Sequence, residues 1–275
     1  MSKLMDGAQQ VRRFIPARLA PGMARRKAEK LMAIPAYREQ QEAQMRHLLE
    51  FTDRAPEIPA LAHRFAEEMI LKAHLRWHDR LVTREPVRGA EWLTTRRDPN
   101  RSVVLCFIHH YRYEGMFKAV ADQGVDIDIL CTPLWLDQTQ PASFRHHLKT
   151  MAKGGRMVPA VGGTDKFVAM IKPGSTWAIA ADVPGSTEVT FLGRRVRGAF
   201  GAARIATLTN SQVVLVRAMR DETGSYLQLD PPLEPSDYES PKDLLDAILK
   251  RHEEAVLAWP EVLEMPMARF APLED

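Results

Sequence analysis

The stretch "SVVLCFIHHYRYEGMFKAVADQGVDIDILCT", from Ser102 to Thr132, decides the fold. It begins with an apolar run rich in β-branched residues, continues with good helix formers and ends in a second apolar run. Short apolar runs favour buried strands, and a helical stretch between two such strands favours a parallel pair. The stretch therefore predicts one strand–helix–strand unit of an α/β fold.

The same alternation continues through the rest of the chain. Helical stretches separate the apolar runs, and near-continuous apolar strands are typical of a sheet that helices cover on both faces. We therefore expect an α/β fold with a mostly parallel central sheet flanked by helices. An edge strand is predicted for "SYLQLDPPL", and a last helix for residues 240–258. The further predicted strands are "RMVPAV" (156–161), "TWAIAAD" (176–182) and "QVVLVRA" (212–218).

The N-terminal part of the chain shows a helical pattern instead. Apolar residues recur at every fourth position there, which predicts a helix that packs by one face. We therefore divide the chain into an N-terminal helical segment, residues 1–82, and an α/β domain, residues 83–275. The apolar stripe consists of Leu61, Phe65, Met69, Ala73, Trp77 and Leu81.

Composition limits the class of protein. The chain has 275 residues, 45% of them hydrophobic and 27% charged, which suits a large globular domain. Cys106 and Cys131 lie in apolar runs and predict buried thiols in a reducing compartment. No run approaches the roughly 20 apolar residues that a membrane-spanning helix needs, and the first residues lack the apolar stretch of a signal peptide. We therefore expect a cytoplasmic location.

The net charge of +3 is unevenly distributed. Residues 1–30 contain eight basic residues and two acidic ones, with apolar residues between them. One interpretation is an amphipathic segment that lies on anionic lipid, so that the protein is peripheral on the inner face of the cell membrane. The other is a solvated helix packed on the main domain. No nucleic-acid-binding motif accompanies the charge, so we expect no nucleic-acid partner. The basic residues are Lys3, Arg12, Arg13, Arg18, Arg25, Arg26, Lys27 and Lys30.

Functional side chains are expected where the strands end. In open α/β sheets, sites lie beyond the carboxyl ends of strands, and two of the predicted strands end in His109 and Asp182. Glu114 follows His109 by five positions, across a turn, and falls in the first turn of the next helix. A carboxylate bonded to one imidazole nitrogen fixes the tautomer and stabilises the imidazolium, which makes the other nitrogen a general base. We predict that His109 and Glu114 form such a catalytic pair.

Three alternatives remain open for these residues. Composition alone produces about one histidine–acid pair at this spacing, so the two side chains can be unrelated. His109, His110 and Asp182 can instead form the metal site of a metal-dependent hydrolase. Asp182 can also serve only as the cap of a turn at the end of its strand.

Longer segments around these residues resemble a known family. The segment "VVLCFIHHYRYEG" is similar to the signature of the lipid A late-acyltransferase family, within the wider glycerolipid acyltransferase superfamily. That signature is an apolar strand, a histidine, four variable residues and a glutamate or aspartate. A second segment, "DVPGSTEVTFLGRRVRGAFGAARIATLTNSQVVLVRAMR", resembles a later block of the family, and "WPEVLEMPMARF" faintly resembles its C-terminal segment. In the later block, Asp182, Phe191, Gly193, Arg194, Gly201 and Arg204 take the family's positions.

The resemblance implies an acyltransferase. Such an enzyme moves a fatty acyl group from an acyl thioester, either acyl-coenzyme A (acyl-CoA) or an acyl-carrier protein, to a hydroxyl or amine. The acceptor would be a glycolipid, a lipid or a small molecule. The resemblance implies no metal and no cofactor besides this co-substrate. It makes His109 the general base and Glu114 its acidic partner, and the substrate-binding residues that it suggests are Arg156, Asp182, Arg194 and Arg204.

The sequence departs from the family between the histidine and the acid. Tyr111 and Arg112 stand where a glycine–asparagine pair is common. This difference favours an acceptor other than the usual lipid A precursor. It also leaves open a non-catalytic module that binds a lipid or a carrier protein.

Overall fold

The computed structural model of the chain describes residues 11–137 and 139–273. The start of the basic segment, with Lys3, lies outside the described residues. Each apolar run that predicted a strand forms one. The strands are β1 (Val87–Arg88), β2 (Val103–Phe107), β3 (Asp128–Cys131), β4 (Arg156–Pro159), β5 (Thr176–Ala180), β6 (Thr187–Phe191), β7 (Arg194–Gly198), β8 (Gln212–Asp221) and β9 (Gly224–Leu229).

The described residues form a seven-stranded central sheet in the order β1-β9-β8-β2-β5-β3-β4. Neighbouring strands pair in parallel, except for β8 and β9, which are antiparallel. This confirms the expected α/β fold with a mostly parallel sheet. The predicted edge strand, β9, instead lies inside the sheet, because the short β1 pairs with its outer side. The antiparallel hairpin of β6 and β7 has no counterpart among the predicted strands.

Helices connect the parallel strands and cover both faces of the sheet. The last helix, predicted for residues 240–258, also forms. The helices are α1 (Ala20–Met32), α2 (Pro35–Leu49), α3 (Ile58–Leu75), α4 (Asp79–Val82), α5 (Tyr113–Ala121), α6 (Ala142–Met151), α7 (Gly163–Met170), α8 (Gly201–Thr209), α9 (Pro241–Ala258) and α10 (Pro266–Arg269).

Strand β2 shows how the sheet divides the core. All five of its residues are buried. Val104 and Cys106 face one apolar cluster, and Leu105 and Phe107 face the other, because successive side chains of a strand point to opposite faces. Since both faces are covered, β2 needs the near-continuous apolar sequence that it has.

The N-terminal helices pack on one of these faces. Helices α1 and α2 both contact α3. The apolar cluster on this face contains Ala24 of α1, Leu61 and Phe65 of α3, and Cys106 of β2. The helical segment and the sheet therefore share one continuous core. Within the described ranges, no helix combines the length and the apolar character needed to cross a bilayer.

Candidate active site

The register of two neighbouring strands brings His109 and Asp182 together. Strands β2 and β5 are parallel, and Phe107 lies opposite Ala180 at their carboxyl ends. His109 and Asp182 each follow two residues later, so they leave the sheet side by side. His109 Nδ1 donates a hydrogen bond to Asp182 Oδ1 (2.7 Å), and the His109 backbone amide donates to Oδ2 (2.7 Å).

These two hydrogen bonds fix the tautomer of the His109 imidazole. Asp182 is 1% exposed and His109 is 4% exposed. An ionised carboxylate can only accept, so in the neutral form of the imidazole the hydrogen resides on Nδ1 and the lone pair on Nε2. Burial raises the pKa of Asp182, but attraction to His109 and its hydrogen bonds outweigh burial and hold that pKa below its ordinary value. The pair has the arrangement of the imidazole and carboxylate of a general base.

Glu114, the predicted partner of His109, binds other side chains. Its Oε2 accepts hydrogen bonds from His147 Nδ1 and from Arg76 Nε, the latter at 3.1 Å. Asp182 occupies the Nδ1 position of His109, so the predicted contact of Glu114 with that nitrogen is corrected. The reason is geometric: Glu114 lies in the first turn of α5, and its carboxylate binds His147 of α6, which packs against α5. A catalytic role for Glu114 stays a prediction.

A tyrosine joins the two histidines. The Tyr113 hydroxyl donates to His147 Nε2 at 2.7 Å, so His147 bridges Tyr113 and Glu114. The ring of Tyr113 also contacts that of His109, with centroids 4.6 Å apart and planes at 76°. The His109–Asp182 pair and the Glu114–His147 pair therefore meet at Tyr113.

Burial and the attraction between the two partners shift the pKa values of the Glu114–His147 pair in opposite directions. Burial raises the pKa of Glu114, but the hydrogen bond from His147 and the charge of Arg76 lower it to about 2. Burial, with the charges of Lys72 and Arg76, lowers the pKa of His147 more than Glu114 raises it. At neutral pH the pair therefore consists of an ionised carboxylate and a neutral imidazole.

A largely buried charge cluster borders His109. The backbone amide of Glu264 donates to the His109 carbonyl at 3.0 Å. The Glu264 carboxylate pairs with Lys72 at 2.5 Å and with Arg269 at 3.3 Å, and the Lys72 side chain is 6% exposed. Burial raises the pKa of Glu264, but the charge and hydrogen bond of Lys72 lower it to about 2. The cluster ties α3 to the C-terminal segment beside the site.

A cleft of about 450 Å³ opens beside these groups. Tyr113 and Glu264 belong to its wall, so His109 lies one residue behind the surface of the cleft. The wall combines positive charge with apolar surface. Its other lining residues include Arg76, Phe144, His147, Met265 and Arg269.

Larger clefts lie elsewhere on the molecule. One of about 1030 Å³ borders the amino ends of β3 and β4 and includes Asp128 and Arg156. Another of about 830 Å³ lies between β6 and α9. We place the candidate site at the smaller cleft, because buried and mutually coupled titratable groups accompany active sites more closely than volume does.

The structure places Arg156 far from His109. It opens β4, and its guanidinium forms two hydrogen bonds to Asp128, at 2.7 and 3.0 Å. The register of four strands aligns it with Trp177 and Val104. Val104 precedes His109 by five residues, which is about 16 Å along a strand. The resemblance-based prediction that Arg156 binds substrate therefore has no support from its position.

Arg194 and Arg204 lie in regular structure. Arg194 belongs to β7, where its Nε donates to the His47 carbonyl at 3.0 Å and its Nη2 to Glu50 at 2.5 Å. Arg204 is exposed on α8, in the first half of that helix. Of the predicted substrate-binding residues, the structure thus brings only Asp182 into contact with His109 among the contacts it describes. Substrate contacts by the arginines stay predictions.

The metal-site alternative required His109, His110 and Asp182 to converge. His110 Nδ1 accepts a hydrogen bond from the Arg112 backbone amide at 3.3 Å, and burial lowers the pKa of His110 to about 3. In the part of the chain that the structure describes, no group of three or more histidine, cysteine, aspartate or glutamate side chains is arranged to hold a metal ion.

Sequence reasoning missed the side chains that reach the site from distant elements. His147 lies 33 positions from Glu114, and Lys72 lies 192 positions from Glu264. No local spacing connects residues so far apart. One signal existed: Lys72 follows Phe65 by seven positions and so shares the buried face of α3, where a cation needs a partner.

Comparison with known protein families agrees with the resemblance. The family model for bacterial lipid A biosynthesis acyltransferases matches residues 62–270. Among solved structures, the chain is similar to the 1-acyl-sn-glycerophosphate (LPA) acyltransferase PlsC from Thermotoga maritima, at 13% identity and a TM-score of 0.42, over 94% of this chain and 97% of that one. No curated protein matches the chain. Since the family model covers about three quarters of the sequence, the protein belongs to the bacterial lipid A biosynthesis acyltransferase family and is an acyltransferase.

Proposed function

We propose that the protein transfers a fatty acyl group from acyl-CoA or an acyl-carrier protein to a hydroxyl or amine of a lipid, glycolipid or small-molecule acceptor. His109 is the general base and Asp182 is its acidic partner. One observation carries this assignment: both oxygens of Asp182 bind His109 at the carboxyl ends of two neighbouring parallel strands. Membership of the family supports the acyl transfer. The His109–Asp182 pair supports the role of His109 as the group that accepts the proton.

The reaction follows from the fixed tautomer. His109 Nε2 takes the proton of the acceptor hydroxyl or amine while its oxygen or nitrogen attacks the thioester carbonyl. The tetrahedral intermediate then expels the thiolate, which takes that proton from Nε2, so the products are the acylated acceptor and a free thiol. Asp182 stabilises the imidazolium between these steps without itself becoming protonated. General-base catalysis of this kind contributes roughly 10²–10⁴-fold in rate.

The 450 Å³ cleft suits an acyl thioester. Both possible donors carry phosphate on a pantetheine arm and an apolar acyl chain. Arg76 and Arg269 offer guanidinium groups for phosphate, and Phe144 and Met265 offer apolar surface to the chain. Because His109 is 4% exposed, substrates reach its Nε2 when a side chain of the cleft wall moves.

In the unusual Tyr111–Arg112 pair, Tyr111 is buried and Arg112 is partly buried. Tyr111 is 6% exposed and packs on Phe65, with ring centroids 5.6 Å apart. Arg112 Nη1 donates to Ser225 Oγ at 2.9 Å and lies 3.5 Å from Glu85. The surface beside the motif therefore differs from that of a family member with the common glycine–asparagine pair. This difference supports a different acceptor.

Peripheral contact with an anionic membrane is part of the proposal. In the described part of the basic segment, Val11 is 57% exposed and Phe14 is 71% exposed. Arg12 Nη1 donates to the Ala73 carbonyl at 3.1 Å, three residues before Arg76 of the cleft. The segment is therefore attached at the end of α3 that borders the cleft. Cations interleaved with exposed apolar side chains favour the surface of an anionic bilayer.

Vesicle binding tests this contact. We expect the protein to sediment with phosphatidylglycerol vesicles and not with phosphatidylcholine vesicles. Phe14→Ser should weaken the binding, whereas Phe51→Ser, which removes a phenylalanine that is 59% exposed outside the segment, should leave it unchanged. Equal effects of the two substitutions would contradict the assignment of the segment.

Thioester consumption tests the reaction. The protein is incubated with a long-chain acyl-CoA, with and without candidate acceptors, and free thiol is followed. The proposal expects thiol release that depends on the acceptor, a metal-dependent hydrolase would release thiol in water until a chelator is added, and a binding module would release none. His109→Ala should lower the transfer rate by roughly 10²–10⁴-fold, with His146→Ala as the matched control. Transfer at the wild-type rate by His109→Ala would remove this residue from the mechanism.

A further inference from the structure

Tyr113, His147, Glu114 and Arg76 form a network beside His109 to which the proposed proton path assigns no task. Their hydrogen bonds have one consistent direction. Glu114 accepts from His147 Nδ1 and from Arg76 Nε, so His147 Nε2 must carry a lone pair. That lone pair accepts the hydrogen of the Tyr113 hydroxyl at 2.7 Å. The network therefore runs from the phenol to the carboxylate with no alternative arrangement of hydrogens at neutral pH.

The network is rigid because water cannot replace its members. Tyr113 is 2% exposed, His147 is 3% exposed and Glu114 is 1% exposed. A buried polar group that loses its partner keeps the full penalty of desolvation. Each member therefore holds the other two in place, and the three side chains join α5 to α6.

The network touches the proposed base through an aromatic ring. The Tyr113 ring meets the His109 ring at 4.6 Å and 76°, and Phe107 meets the same imidazole at 5.3 Å and 60°. Asp182 fixes the Nδ1 end of the imidazole, but a hydrogen bond at one nitrogen leaves the tilt of the ring free. The two aromatic contacts limit that tilt, and with it the direction in which Nε2 points.

We propose that His147 is a positioning residue of the acyltransferase, which holds the Tyr113 ring against His109 and so aims Nε2 at the acceptor. Glu114, the acid of the histidine–four residues–acid motif, acts through His147 and not on His109. The inference rests on the proposed function, since it needs His109 to be the base. It assigns a task to a histidine that has no sequence motif of its own.

A double-mutant cycle on the transfer reaction tests the inference. We expect Glu114→Gln and His147→Gln each to lower kcat by roughly 10–100-fold, as a small misplacement of a catalytic group does, with KM changed by less than about threefold. The double variant should be no slower than the worse single variant, since either change breaks the same network. His146→Gln, on the same helix but in a residue that stacks on Trp77, is the control and should keep wild-type kcat.

Two kinetic outcomes would overturn the inference. If His147→Gln keeps wild-type kcat, His147 positions nothing. If the effects of Glu114→Gln and His147→Gln multiply, Glu114 acts independently of His147. Should His147→Gln fail to fold, Tyr113→Phe takes its place, because it removes only the hydroxyl; it should then lower kcat with unchanged KM, and full activity would count against the network.

Nitrogen NMR of the histidine rings separates this inference from the proposed function. We expect His147 to show the Nδ1-protonated neutral tautomer in the full-length protein, and Tyr113→Phe to shift the ring signals of both His147 and His109. These signals do not require turnover. If no acyl transfer occurs but the signals behave in this way, the proposed function fails and the network stands. If Tyr113→Phe leaves the His109 signals unmoved, the positioning role fails whatever the activity.

Discussion

Each edge of the central sheet carries carboxylates that are hydrogen-bonded to basic side chains, but the two edges place these pairs in opposite environments. At the amino edge, the Arg156 side chain is 67% exposed and pairs with Asp128. At the carboxyl edge, the side chains of Asp182 and Glu114 are 0% and 1% exposed and pair with His109 and His147. Water screens an exposed pair, which then contributes about 0–1 kcal/mol to stability. A buried carboxylate depends on its partner, because no water replaces that partner.

This difference shows which feature identifies the candidate active site. The cleft at the amino edge has about 1030 Å³ and the one at the carboxyl edge about 450 Å³, so volume alone selects the wrong edge. The carboxyl edge instead concentrates carboxylates with lowered pKa, including Glu114 and Glu264 at about 2. A carboxylate that stays ionised although it is buried is available for chemistry. Three of the predictions below contrast a change at one edge with a change at the other.

The largest effect is expected from Asp182→Asn. The amide can donate to His109 Nδ1, which moves the imidazole hydrogen to Nε2 and removes the basic lone pair. We expect kcat to fall by about 10³–10⁴-fold, the size of effect that a wrong tautomer produces in a comparable pair. Asp128→Asn makes the same change at the amino edge and should keep kcat within about twofold, since its pair is exposed. Steady-state kinetics on both variants decide the matter, and a loss of less than tenfold for Asp182→Asn would refute its role as the acidic partner.

The next effect concerns stability. Lys72→Met keeps the apolar stem of a side chain that is 6% exposed. Among the described residues, it leaves the Glu264 carboxylate with Arg269 as its one cationic partner. Breaking a buried pair in this way should cost about 2–4 kcal/mol of unfolding free energy. Arg156→Met removes the cation of the exposed pair and should cost less than about 1 kcal/mol. Urea unfolding of the two variants measures both losses, and equal losses would show that burial does not separate the two edges.

A smaller effect is the dependence of stability on pH. Burial lowers the pKa of His110 and of His252 to about 3, from an ordinary value of 6.5. The unfolded chain therefore binds more protons than the folded one between these values, and stability falls as pH decreases from 6.5. We expect each imidazole to cost at least about 1 kcal/mol between pH 6.5 and 4.5.

His252→Leu separates this contribution from that of the carboxylates. It should flatten the decline between pH 6.5 and 4.5, measured by urea unfolding at a series of pH values. Below about pH 4.5 a second decline should remain, because Glu114 and Glu264 have lowered pKa values and lose their contribution as pH falls towards 2. An unchanged slope above pH 4.5 would mean that the buried imidazole is not neutral in the fold.

The sequence predicted the sheet well because strand type is a local property. The apolar run of β2 and the helix formers after it act within a few residues of each other, and both elements form. The pairing of His109 with Asp182 depends on a non-local property, the order of the strands. The sequence places both residues at strand ends, but only the adjacency of β2 and β5 makes them partners. Closeness in sequence and the resemblance to the family motif favour Glu114 as the partner instead.

The hairpin of β6 and β7 was not predicted, for a different reason. Its two-residue turn consists of Leu192 and Gly193, with φ of 50° and 79°. Turns with two positive φ values favour asparagine or aspartate at the first position, and leucine gives no such signal. Tertiary contacts hold the turn: Leu192 is 4% exposed, and its amide donates to Glu253 Oε1 at 2.7 Å. Burial of Leu192 therefore overrides its backbone preference. Arg194 consequently lies in a strand that the local sequence does not predict.

The smallest effect is expected from Arg156→Gln, and it is the most direct test of the difference between the edges. If the resemblance assigned Arg156 correctly, loss of its charge should raise KM for the thioester at least about tenfold, the cost of one charge-assisted hydrogen bond. The structure gives Arg156 a partner on the neighbouring strand, at the far edge from His109, so we expect kcat and KM to change by less than about twofold. Arg269→Gln is the counterpart in the cleft wall, and the same loss of charge should raise KM there. A larger rise in KM for Arg156→Gln than for Arg269→Gln would place the donor at the amino edge and contradict the choice of cleft.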